Sequence, residues 1–253
     1  MNMKESNWAA AGLILTLTLI NGTAQATLHD RGNGLVYDDV LNVTWLQNAN
    51  LAATESFGVG GINALGVDNG AMHWETANTW INAMNAYANG SGWLGYNDWR
   101  LPTISPVNGM TFNLSISVDG STDIGYNITS SNSELAYMFN MNLNNVGQYD
   151  TSGGLIGCWP ICLQNTGPFE NLQAGSPWFY WSGVEYMLEP YADSAWGFIT
   201  HGYYQGLDNK AQKGYVWPVR PGDVTVIPIP GAIWLFGTGL LGLLRLARRG
   251  NIG

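Results

Sequence analysis

The chain has 253 residues, with 18 acidic against 9 basic side chains, a formal net charge of −9, and only 11% charged residues beside 33 glycines and 12 tryptophans. Between the two apolar ends Arg31, Arg100, Lys210, Lys213 and Arg220 are the only bases, which excludes nucleic acid and anionic lipid as ligands. Surface polarity falls instead to Asn, Ser, Thr and Tyr, a surface suited to sugars rather than ions, and the roughly 200 residues between the ends argue for one domain with a real core.

The first element is an export signal. Lys4 supplies a short positive region, residues 9–20 are apolar, and Ala24-Gln25-Ala26 is a small-x-small cleavage site ahead of polar chain. A signal peptide over 1–26 is expected, with the mature chain starting at Thr27 outside the cytoplasm. Residues 34–48 then read as a hairpin turning at 38–42, in which Leu35 and Tyr37, then Val43 and Trp45, alternate as a half-buried pair requires. Glycine-rich, aperiodic chain over 56–70 predicts a loop. The spacing of Trp74, Ala77, Ile81, Met84 and Tyr87 predicts a helix beginning near His73, ended by Gly90 and Gly92.

Asp98-Trp99-Arg100-Leu101-Pro102-Thr103 follows. Arg100 sits among core-like neighbours, so its guanidinium is expected to be enclosed and paired with a carboxylate, where a planar fork satisfies several acceptors. A second helix is predicted over 133–140 with Ser131 or Ser133 as its cap. Cys158 and Cys162 are the only cysteines. In an exported chain an even pair points to a disulfide pinning a small loop; free thiols and a metal pair are the alternatives, and a redox C-x-x-C is excluded by the three intervening residues. Aromatic and β-branched runs predict late strands at 178–182, 194–200 and 213–220.

Catalytic signatures are sparse. No nucleophile elbow and no H-E-x-x-H occurs, and His29, His73 and His201 have no zinc-finger spacing to the cysteines, so neither an enzyme nor a bound metal is expected. A binding role has better raw material. Between two strands, Glu185, Glu189, Tyr191 and Asp193 offer an aromatic face and carboxylate acceptors that suit a sugar, or calcium with its six to eight oxygen ligands. Three acids so close repel one another unless a cation or protons intervene.

The tail is apolar all round. Residues 227–244 carry no ionisable side chain and as a helix span ~27 Å, just short of the hydrocarbon core. Pro228 and Pro230 stand at the entrance and Arg245, Arg248 and Arg249 close the far side, a positive-inside pattern. With Trp234 and the glycines beyond it, this order resembles the VPLP-type variant of the bacterial PEP-CTERM sorting signal. The resemblance implies recognition and cleavage by an exosortase-type membrane protease in Gram-negative cells that make exopolysaccharide. A plain C-terminal anchor is the alternative. Residues 224–253 are accordingly expected to tether the protein to the inner membrane before processing, after which it reaches the cell surface or the extracellular space.

Between the ends, the segments Gly34-Leu35-Val36-Tyr37-Asp38, Thr44-Trp45-Leu46, Asp98-Trp99-Arg100-Leu101-Pro102-Thr103, Tyr180-Trp181-Ser182, Ala195-Trp196-Gly197-Phe198 and Val216-Trp217-Pro218-Val219-Arg220 together resemble the Lcl C-terminal-domain-like family. The resemblance implies a C-type-lectin-like fold, grouped with formylglycine-generating enzymes: an α+β domain over 27–223 with a loop-rich, twisted antiparallel sheet, two short helices and terminal strands lying together. Insertions over 105–129 and 143–177 depart from the compact pattern. The expected function is that of an exported surface or matrix protein with a non-catalytic lectin-like domain, associated with exopolysaccharide or another surface protein; a carbohydrate-binding adhesin, calcium-dependent or not, is the alternative.

Overall fold

The structure is a computed structural model that describes residues 27–158, 162–175, 177 and 179–224. The expected signal peptide with Ala24 and Ala26, and the sorting segment with Pro228, Pro230, Trp234, Arg248 and Arg249, lie outside the described residues. Among those described, no helix is long and apolar enough to cross a membrane.

In chain order the elements are β1 (Leu28–Gly32), β2 (Leu35–Asp38), β3 (Val43–Leu46), α1 (Trp74–Gly90), β4 (Ile116–Ser117), β5 (Ile124–Tyr126), α2 (Glu134–Tyr137), β6 (Phe179–Tyr186), β7 (Ser194–Ile199), β8 (Tyr204–Asn209) and β9 (Val219–Pro221). The chain is therefore α+β. One sheet has the order β1-β2-β3-β9 and is antiparallel throughout; the other runs β4-β5-β8-β7-β6 and is antiparallel except where β4 meets β5. The first and last strands of the domain thus share a sheet.

The predicted hairpin forms, with Leu35 opposite Leu46 and Val36 opposite Trp45. Its burial differs from the half-buried expectation. All four residues of β3 are buried, because β2 and β9 pair with its two edges and the core covers both faces. Even Thr44 is enclosed, its hydroxyl donating to Gly222 O at 2.7 Å. Strand β1 was not expected: Leu28-His29-Asp30-Arg31-Gly32 has no apolar alternation, and pairing with β2 through the Gly32-Asn33-Gly34 turn, all at positive φ, makes it a strand.

Helix α1 buries Trp74, Ala77, Ile81 and Met84 as its spacing predicts, and Trp80 as well. Tyr87 departs from the face. Regular dihedrals stop there, Ala88 and Asn89 take positive φ, and Tyr87 stays 46% exposed. Gly92 enforces the turn that follows: at φ +76° a Cβ would collide with Tyr96 O. Ser133 caps α2 by accepting from Ala136 N at 3.2 Å, but the regular helix is only four residues, and the chain beyond it widens into a π turn at Met138–Asn142. The predicted helix over 133–140 is in the right place and too long.

Of the late strands, β6 and β7 appear where expected. The third does not run over 213–220. Only Val219–Pro221 is a strand, and it belongs to the other sheet, while Gly214 and Tyr215 make isolated bridges to Met72 and Tyr180. Strand β8, with the sequence Tyr204-Gln205-Gly206-Leu207-Asp208-Asn209, is polar and contains glycine, so it has no strand pattern of its own, yet it is the interior strand between β5 and β7.

Alternation along β6 divides the core in two. Phe179 and Trp181 face a cluster with Met72, Trp74, Trp80 and Leu101, whereas Tyr180 faces Trp45, Phe139, Phe198 and Trp217. Both insertions are folded onto this frame. In the first, Asp123 accepts from Val107 N and Asn113 N at 2.6 Å each, and Phe112 stacks on Trp196 at 4.6 Å. In the second, the Asn145 side chain accepts from Gln164 N and Asn165 N and donates to Asn165 O.

Candidate functional site

The motif around Arg100 is a strut. Asn85 on α1 grips Trp99 from both sides, its amide donating to Trp99 O at 2.8 Å while its carbonyl accepts from Trp99 N at 2.9 Å. Asp98 takes the Arg220 guanidinium of β9 through bonds of 2.8 and 2.9 Å, and that guanidinium lies 4.1 Å from the Tyr96 ring centre. The backbone of Arg100 exchanges two hydrogen bonds with Val219 of β9. Its side chain makes two bonds of 2.7 Å to Glu134, the first residue of α2, and Glu134 also accepts from Thr103 N at 2.7 Å. Leu101 is buried in the core, and Pro102 O accepts from Gly183 N on β6. One short segment therefore ties α1, α2, β6 and β9 together, and its charged groups are satisfied within the fold.

Glu185 and Asp193 both stand beside Lys210, whereas Glu189 lies apart from them. Strand β6 continues to Tyr186, so Glu185 is not in the connecting loop but in the ladder, opposite Ala195. Its carboxylate accepts from Lys210 Nζ at 2.6 Å, and this bond raises the lysine pKa. The required cation is thus a side chain. Glu189 and Tyr191 lie at the exposed tip beyond Met187 and Leu188, on either side of Pro190 with its cis bond to Glu189, and Tyr191 meets Tyr186 edge-on at 6.5 Å. Asp193 instead borders a cleft of roughly 380 Å³ shared with His73, Glu75 and Lys210. Among the described residues no three His, Cys, Asp or Glu side chains converge as a metal would need.

These positions lead to a thermal test. With Glu185 held by Lys210, calcium at millimolar concentration is expected to leave the melting temperature unchanged, since only a ligand that binds the folded state raises it. A rise that disappears in a Glu189→Ala, Asp193→Ala double variant would restore these acids as a cation site.

Cys158 and Cys162 form a disulfide with Cα atoms 4.8 Å apart, and Cys162 is fully buried against the core. The bridge pins the second insertion, and the thiol and metal alternatives for the pair fall away.

The arrangement defines an α+β domain whose strongest motif is architectural and whose acids Glu75, Glu185 and Asp193 gather around Lys210. The chain belongs to the Lcl C-terminal domain family, whose model matches residues 34–220, from the turn before β2 into β9. No curated protein and no solved structure matches it significantly.

Proposed function

We propose that this is an exported cell-surface or extracellular-matrix protein with a non-catalytic domain of C-type-lectin-like fold, processed by an exosortase-type protease and associated with exopolysaccharide. The observation that carries the reading is the bracketing of one folded domain by an Ala-x-Ala export signal and by the order of prolines, apolar run and arginines at the tail. The internal use of the motif's charges supports a non-catalytic domain, since Arg100 pairs with Glu134 and Asp98 with Arg220. Low charge and many amide and hydroxyl side chains suit a polysaccharide matrix. Before processing, the C-terminal helix tethers the protein to the inner membrane, with its arginines on the cytoplasmic side.

Intact-mass measurement on envelope material is the test. The mature species is expected to begin near Thr27 and to end near Pro230. A species that keeps Arg248 and Arg249 would mean a plain anchor and remove the protease from the scheme.

A further inference from the structure

The loop over 56–70 and the segment leading into Tyr215 meet at three side chains that the motif and the cleft leave unused. Asn63 is fixed in that loop by its backbone: Asn63 N donates to Ala71 O at 2.9 Å, and Asn63 O accepts from Gly70 N at 2.7 Å. One residue on, Met72 exchanges two bonds of 2.9 Å with Gly214. That register sets Lys213 beside Asn63, from which it is 150 residues distant in the chain, and Lys213 Nζ donates to Asn63 Oδ1. On the other side of the same amide, Asn63 Nδ2 donates to Asp68 Oδ2. Asp68 is placed by its own carbonyl, which accepts from Ala71 N at 2.9 Å, and Tyr215 OH holds the loop by donating to Val67 O at 3.1 Å.

The orientation of the amide follows from its neighbours. A carboxylate only accepts and a lysine only donates, so the nitrogen faces Asp68 and the oxygen faces Lys213. This lysine is used differently from the other bases. Among the described residues Arg31, Arg100, Lys210 and Arg220 each pair with a carboxylate, whereas Lys213 is aimed at a carboxamide. Amine, amide and acid follow one another along a single hydrogen-bonded chain, and all three residues are partly buried. The result is a nucleophile beside an electrophilic carbon, with a proton carrier on the leaving nitrogen.

We propose that Lys213 and Asn63 join in an intramolecular isopeptide bond, with Asp68 as the proton carrier. Lys213 Nζ, as the free amine, attacks Asn63 Cγ, and the carbonyl electron pair moves onto Oδ1. In the adduct both nitrogens hang from Cγ, so the Asp68 carboxylate takes a proton from Nζ and passes one to Nδ2. The C=O then re-forms, the Cγ–Nδ2 bond breaks and ammonia leaves. An amine and a primary amide become a secondary amide and ammonia; nothing is oxidised or reduced, and no co-reactant is needed. Holding the groups together offsets the poor reactivity of an amide, since effective molarities of ~10⁵–10⁸ M are reached by well-oriented intramolecular reactions. The bond ties the loop over 56–70 to the chain entering the core at Tyr215, and unlike the Cys158–Cys162 bridge it survives reduction.

Mass spectrometry of the full chain is the test. A tryptic digest of the reduced protein is expected to contain the peptide with Lys213 joined to the peptide with Asn63, lighter than their sum by one ammonia. In Lys213→Arg and in Asp68→Asn the two peptides are expected to separate. Separate peptides in the parent would overturn the proposal, and that outcome does not require either variant to fold. An ammonia deficit that persists in Lys213→Arg would also overturn it, because an Asn-Gly pair such as Asn69-Gly70 can lose ammonia by closing on its own backbone. Joined peptides in Asp68→Asn would overturn the part given to Asp68.

Discussion

Replacing Trp217 with alanine is expected to destabilise the domain by about 3–5 kcal/mol, a large part of the ~5–15 kcal/mol that holds a typical domain together. The indole is fully buried, with ring centres of Trp45 at 4.6 Å, Phe169 at 4.7 Å, Phe139 at 5.8 Å and Tyr180 at 5.9 Å. These neighbours come from β3, the second insertion, the π turn and β6, so no single element can move in to fill the cavity. The substitution also removes the donor for Leu46 O, now 2.8 Å from Trp217 Nε1. Urea denaturation gives the measure. A midpoint shift no larger than that of an exposed substitution such as Leu65→Ala would show that the surrounding rings collapse into the space.

Arg100→Ala is expected to cost about 3 kcal/mol, at the lower end for breaking a buried ion pair. The asymmetry of the pair sets that placement: the Arg100 side chain keeps 33% of its exposure and Glu134 only 9%, so the loss falls on a carboxylate that cannot turn to water. Thr103 N would remain as its donor, which limits the damage. Arg100→Lys should recover part of the loss, because it keeps the charge but supplies one point of contact in place of two parallel bonds. Unchanged stability in Arg100→Ala together with weakened polysaccharide retention would move the arginine from the frame to a ligand.

What could be read in advance followed the physics of each segment. Strong apolar periodicity located the helix of Trp74, Trp80 and Met84, and aromatic runs located β6 and β7. The carboxylate expected for Arg100 could not be named from sequence, since Glu134 approaches only after α2 has folded back over the motif. Local pattern failed where tertiary pairing made the element. Strand β8 is interior because of its neighbours rather than its apolar content, and Val219–Pro221 is a strand because β3 offers it an edge.

The junction of β3 with β9 also governs the order of events in folding. Thr44 and Gly222, joined by a hydrogen bond, are 178 residues apart, so the sheet that begins the domain is completed by chain that arrives last. Until Val219–Pro221 has emerged, Trp45 lacks its β9 neighbour and Trp217 is not yet in place beside it. A contact of such long separation closes slowly, because the loop entropy precedes any reward from pairing. Under the export proposed above, the early segments stay without their β9 partner until that last strand has followed them.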